Sequence, residues 1–254
     1  MMDLVFFDTH ITLGGFPELP IPYRQSFATA RERLAECGIA GGLMEHRQSW
    51  ENEPAFGHEL LKKELAGTTG FRPLWNMLPL QKGMRDEAGE LAVQMRGAEV
   101  AGALLMPGCC SFSPEEWCSG PLYEMLEVMR MPLFVRMNSG EMEYDTLARL
   151  LASHPGLPVI LRHLFYQADL FLYPLMDRYE NLYVETCGYK PFDGIRALSR
   201  AFGCKRLIFG SNYPYESPGA AVAQLLLSDL PPEDIVLIAG KNMLHLMGDI
   251  NYDL

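Results

Sequence analysis

The sequence predicts a single-domain (β/α)8 TIM barrel spanning residues 1–254. Three observations carry this. Apolar runs and amphipathic helical stretches alternate eight times along the chain. The runs are apolar throughout, as strands covered by helices are. The length suits one such barrel. The rival is an open doubly wound sheet. When that fold binds a dinucleotide it usually carries GxGxxG after its first strand, and Gly14-Gly15 lacks the spacing.

The elements follow in order. LVFFD (Leu4–Asp8) reads as the first strand and Tyr23–Cys37 as a helix, with Phe27, Ala30, Leu34 and Cys37 on one side. IAGGLM from Ile39 is the second strand, and Pro54–Leu65 is a helix with proline in its starting turn. FRPLWNM from Phe71 is the third strand, irregular at its internal proline. Asp86–Arg96 is helical, and VAGALLM from Val100 is a strand that Pro107 and Gly108 break. Pro121–Met129 is a helix before PLFVRM, and Glu143–Leu151 a helix before PVILRH. Ala168–Arg178 precedes NLYVET, and Phe192–Phe202 precedes RLIFGS. Ala220–Leu227 follows the eighth strand. A closing helical segment over 232–247 is broken near Gly240.

The formal charge is -11, from 21 Lys plus Arg against 32 Asp plus Glu. That disfavours nucleic acid or an anionic membrane as partner, since both want a basic stripe. A small anion held by a few local arginines is compatible with it. No stretch reaches the roughly 18 apolar residues of a membrane span, and the first residues show no secretory pattern, so a cytoplasmic protein is expected. The six cysteines form no CxxC and are expected to be reduced.

Barrels of this kind carry their sites at the C-terminal strand ends. There stand Asp8, His10 and Thr12; Glu45, His46 and Arg47; Asn76; Cys109 and Cys110; Arg136 and Asn138; Arg162 and His163; Glu185 and Cys187; Ser211, Asn212 and Tyr213. His58, His154 and His245 fall elsewhere and read as structural. Strand alternation sends one of Arg162 and His163 inward and the other outward. With His163 inward, Arg136 becomes the carboxylate clamp. Trp50 and Trp117 follow strand ends and are candidate aromatic walls.

Five segments together resemble the amidohydrolase-related proteins, in the branch of decarboxylating and lactone- or amide-hydrolysing metal barrels. They are VFFDTHITLG, PVILRHLF, NLYVETCGY, RLIFGSNYP and GKNMLHLMG, in the right order from Phe7 to Gly248. The resemblance implies Asp-x-His-x-His on the first strand and a Gly-Ser-Asp-x-Pro turn on the eighth. Its metal ligands are the paired histidines, the strand-eight aspartate and usually a strand-five histidine. Here the first histidine matches His10 and the second matches Thr12. The aspartate matches Asn212, and the strand-five place falls near Arg136 or Met137. The strand-six histidine is His163.

The expected site is therefore a degenerate metal site, holding no metal or one divalent ion, with zinc the candidate and His10 and His163 its ligands. A hydrolytic zinc needs about three protein ligands and a water. A set reassembled from His10, His46, His163, Glu185 and Cys109 or Cys110 is one way to supply them. The expected function is a hydrolase, weakly metal-dependent or metal-free, acting on a small organic acid, lactone or amide. His163, Asp8, His10 and Glu185 are the expected catalytic groups. Arg136, His46, Arg47, Asn138, Asn212 and Tyr213 are the expected substrate contacts. The alternatives are a decarboxylase of the same family and an inactive ligand-binding barrel. A homodimer is compatible with either.

Overall fold

The computed structural model describes residues 4–15, 26–80, 88–137, 141–164 and 167–254. Its eight strands are parallel and lie in chain order. They are β1 (Phe6–Leu13), β2 (Ile39–His46), β3 (Phe71–Met77), β4 (Gly102–Leu105), β5 (Leu133–Arg136), β6 (Val159–Arg162), β7 (Leu182–Glu185) and β8 (Leu207–Ile208). The helices between and after them are α1 (Phe27–Glu36), α2 (Gln48–Glu51), α3 (Pro54–Glu64), α4 (Ala88–Gly97), α5 (Pro107–Cys110), α6 (Glu116–Val128), α7 (Tyr144–Ser153), α8 (Asp169–Arg178), α9 (Gly194–Phe202) and α10 (Pro218–Leu226). A closing run comprises α11 (Pro232–Val236), a π-helical turn (Leu237–Lys241) and α12 (Asn242–Gly248). This is a (β/α)8 barrel. Among the described residues no helix is long and apolar enough to cross a membrane, and all six cysteines are free.

The barrel closes through β1 and the segment after β8. Ile11 bridges Tyr213 in parallel. Thr9 N donates to Phe209 O at 3.1 Å, Thr12 N to Tyr213 O at 2.8 Å, and Tyr213 N to His10 O at 3.1 Å. This seam explains why β1, expected to stop at Asp8, runs on to Leu13. Its polar residues have backbone partners on both sides, so polarity does not end the strand.

Two further boundaries differ from expectation. The helix expected from Pro121 starts at Glu116, with Pro121 inside it. Its first turn is anchored independently: Cys118 and Ser119 N donate to Glu115 O, and Ser119 Oγ donates to Ser113 O. The break expected near Gly240 is a π-helical turn that carries the helix on. The starts of the helices expected at Tyr23 and Asp86 lie outside the described residues.

The barrel interior holds Phe7, Leu43, Leu74, Leu104, Phe134, Ile160 and Ile208, joined by Met243 and Leu246 of α12. Asn242 fastens that helix, its Nδ2 donating to Cys204 O and Leu207 O at 2.8 Å. The alternate strand residues, such as Leu105, Val135, Leu161 and Val184, belong to the larger core shared with the helices. Side chains repeat every second residue in a strand. The layer above the interior ring is therefore Glu45, Asn76, Met106, Arg136, Arg162 and Glu185, with Gly210 past β8.

Candidate functional site

That upper layer is polar where the layer below is apolar, and it opens at the C-terminal strand ends. Arg136 and Arg162 are register partners across β5 and β6, so both point inward. The expectation that Arg162 faces outward is corrected here. His163 also joins the site, its ring 4.9 Å from that of His10 in an edge arrangement. Alternation does not separate them because His163 lies beyond the strand in left-handed backbone, at φ +55°.

Arg162 is fully buried. Its Nη1 donates to Glu45 Oε2 at 2.7 Å, and its Nη2 donates to Thr9 O. Its guanidinium carbon lies 4.4 Å from the centre of the Phe134 ring. Its Nε stands 4.0 Å from Glu185 Oε2. Glu45 is fixed from its other side, where Thr12 Oγ1 donates to Oε1 at 2.9 Å. Glu185 faces His10 Nδ1 at 3.0 Å. Asp8 accepts from His10 N, Ser211 N and Ser211 Oγ. A Cβ on Gly210 would overlap Glu185 Oε1 at 1.7 Å, so only glycine leaves room for that carboxyl.

Burial governs the protonation of this cluster. It pushes Glu185 up to about 8, more than Arg162 pulls it down. It raises Asp8 to about 7 against the hydrogen bonds from Ser211 and His10. It lowers His10 well below the usual range and His163 to about 2, with the arginines adding to the effect. Glu45 alone of this group is held below the ordinary carboxylate range: burial opposes ionisation, but Arg162 overcomes it. The short Glu185–His10 contact has ion-pair geometry, yet both shifts favour neutral partners. We read it as a Glu185 O–H donating to Nδ1, which leaves the His10 proton on Nε2.

The structure gathers His10, His163, Glu185 and Arg136 around one mouth, with Asp8 bonded behind His10. Arg136 is half-buried. Its Nη1 touches Met106 Sδ at 3.8 Å, and its Nε has no partner among the described residues. His46 accepts from Gln48 N and packs over Gly14. Arg47 pairs with Glu51 on α2. Asn212 donates to Glu216 at 3.3 Å. Tyr213 lines a cavity of about 280 Å³ with Arg33 and Glu216, toward α1. Asn138 lies outside the described residues. Cys109 donates to Glu141, and Cys110 accepts from Asn76. Trp117 is 80% exposed and forms no wall of the mouth, while Trp50 packs on the interior core. The roles of Glu45 and Arg162 were missed. The paired LFVR and VILR segments carry the signal, because each places arginine two residues beyond an interior apolar residue.

Among the described residues one group could offer three metal donors: His10, Glu185 and Cys187, with atoms within 4.8 Å of one another. It shares His10 with the expected pair and His10 and Glu185 with the reassembled set, and adds Cys187. It does not fit a divalent cation. Glu185 and His10 are bonded to each other, and the Cys187 thiol donates to Glu216. The Arg162 guanidinium stands beside the carboxyl, so an ion there would meet like charge.

Solved structures share this fold. A 2,6-dihydroxybenzoate decarboxylase from Rhizobium is 16% identical, with TM-score 0.74, over 98% of this chain and 99% of that one. A dihydroxybenzoic acid decarboxylase from Polaromonas sp. JS666, with bound manganese and 2-nitroresorcinol, is 15% identical, with TM-score 0.75, over 98% and 97%. A 5-carboxyvanillate decarboxylase from Novosphingobium aromaticivorans, also with bound manganese, is 13% identical, with TM-score 0.74, over 97% of each. No curated protein matches the sequence. The family described as Amidohydrolase matches residues 4–242, nearly the whole chain, and the protein belongs to that family.

Proposed function

We propose that this chain is a metal-independent acid–base enzyme acting on a small organic carboxylate, with decarboxylation as its reaction. The observation that carries the reading is Arg136. Glu45 balances Arg162, and Glu185 is largely protonated near neutrality. Arg136 has no carboxylate partner among the described residues. Among the described residues the mouth thus holds one guanidinium without a carboxylate partner, which favours a carboxylate in a forked hydrogen bond.

The protonation states favour a proton donor over a hydrolytic base. Hydrolysis without a metal needs a general base to activate water, and the lowering of His10 and His163 makes both imidazoles weak bases. Glu45 is ionised but tied to Arg162 and Thr12. Decarboxylation needs a proton delivered to carbon. The C–C bond breaks, its electron pair stays on the carbon and binds the proton, and CO2 leaves. His10 can give its Nε2 proton while Nδ1 takes the one on Glu185. His163 offers a second neutral imidazole beside it. The three fold relatives named above are decarboxylases, which supports the reaction; two of them hold manganese, and the metal independence rests on this chain's own residues.

The test uses protein treated with a chelator. Hydroxybenzoates and small hydroxy acids are screened by thermal shift, and CO2 release is followed for each binder. An aromatic carboxylate should bind and lose CO2 without added metal. Arg136→Ala should weaken its binding about 10- to 100-fold, the worth of a hydrogen bond between charged groups. Binding unaffected by Arg136→Ala contradicts the reading, as does turnover that returns only with manganese. Binding with no CO2 release contradicts the reaction and leaves a ligand-binding barrel.

A further inference from the structure

We propose that the Arg162 guanidinium is a built-in cation that excludes a divalent metal from the barrel mouth, and that Glu45 and Thr12 hold it there. The inference goes beyond the reaction proposed above and does not depend on turnover.

Two of the three guanidinium nitrogens are fixed by hydrogen bonds. One nitrogen donates to Glu45 and another to the Thr9 carbonyl, while the guanidinium carbon lies over the Phe134 ring, 4.4 Å from its centre. The third nitrogen, Nε, is buried and unpartnered, and it is the one nearest Glu185 at 4.0 Å. Glu45 makes a second contact through its other oxygen, to Thr12. In sequence Thr12 reads only as a missing histidine. In the fold it is a hydroxyl donor to the carboxylate that anchors Arg162.

A guanidinium differs from a metal ion in ways that matter here. It stays charged at any ordinary pH and cannot be chelated away. It directs hydrogen bonds in one plane and takes no ligands in open coordination positions. Its charge lies against the same Glu185 that would otherwise serve as a metal donor with His10 and Cys187. Restoring lost ligands at Thr12 and Asn212 would remove the hydroxyl contact to Glu45 but keep the hydrogen bonds of Arg162 to Glu45 and the Thr9 carbonyl, so the cation stays in place. Removing it would leave the Glu45 carboxylate without its cation, beside Glu185 and His10.

The two explanations for metal exclusion, lost ligands and a resident cation, separate on variants. Wild type, Thr12→His with Asn212→Asp, Arg162→Ala, and Arg162→Ala with Glu45→Gln are each titrated with manganese and followed by thermal unfolding. Arg162→Ala should gain a midpoint rise of about 5 °C at manganese about 100-fold above its Kd. Wild type and the ligand-restored double variant should gain none, and the variant that also lacks the Glu45 carboxylate should lose most of the gain. Ethylguanidinium should stabilise Arg162→Ala and not wild type. If Arg162→Ala is insoluble alone, it is refolded with manganese or ethylguanidinium; recovery with manganese supports the proposal, and recovery with ethylguanidinium alone overturns it, since Arg162 is then only structural. No response of Arg162→Ala to manganese overturns it. So does manganese bound by wild type, or bound by the ligand-restored variant with Arg162 intact.

Discussion

Glu185 and His10 meet at 3.0 Å with both groups wholly buried, and their shifts make stability depend on pH in opposite directions. Glu185 rises from 4.5 to about 8 on folding. The folded state therefore holds a proton that the unfolded state releases. This contribution is complete below about pH 4.5 and fades as pH rises towards 8. His10 and His163 are lowered from 6.5. Their contribution is complete above 6.5 and fades as pH falls towards their folded values. Between pH 6.5 and 8 the buried carboxyls act alone, Asp8 up to about 7 and Glu185 to about 8. Urea unfolding across that window should show stability falling with pH, and Glu185→Gln should flatten the fall while keeping the acid limb. An unchanged slope in the variant would mean that Glu185 is already ionised at neutrality.

At the scale of elements, β2 carries its glycines for a steric reason. A Cβ on Gly42 would lie 2.2 Å from Asp8 O and 2.8 Å from Ile11 Cδ1, and one on Gly41 would lie 2.4 Å from Gly70 O. These contacts are largely with backbone, which cannot swing aside. Gly42→Ala should therefore cost about 1–3 kcal/mol or more, through overpacking of the β1–β2 pair. Gly67→Ala is the comparison, since nothing lies within 4 Å of its Cβ, although its positive φ strains any side chain. Equal losses in urea unfolding would show that backbone strain, not the β1–β2 contact, sets the cost. The glycine pair was visible in IAGGLM, but its reason was not, because the blocking atoms belong to β1 and the turn at Gly70. Strand positions were legible because each apolar run is bracketed by turn residues. Their ends were not legible where tertiary hydrogen bonds override polarity, as in β1. Nor was the start of α6, where anchoring at Glu115 and Ser113 admits a proline within the helix.

For the whole molecule, the barrel and the address of its site were readable from periodicity and from the rule that strand ends carry function. The closing seam was not readable. It puts His10 O, Tyr213 N and Asp8 with Ser211 side by side from opposite ends of the chain. The charge balance of the mouth also came only with the fold. Sequence alternation, applied from His163 backwards, turned Arg162 outward, whereas the left-handed turn at His163 lets both residues enter. On the function proposed above, the mouth carries its positive charge on two arginines and takes its carboxylate on Arg136. Crystals grown with an aromatic hydroxycarboxylate and manganese, measured at the manganese absorption edge, test this most directly. The account predicts the carboxylate forked on Arg136, Arg162 still bonded to Glu45, and no anomalous peak beside His10, Glu185 and Cys187. A manganese peak within bonding distance of His10 and Glu185, with the carboxylate on the ion, would contradict it.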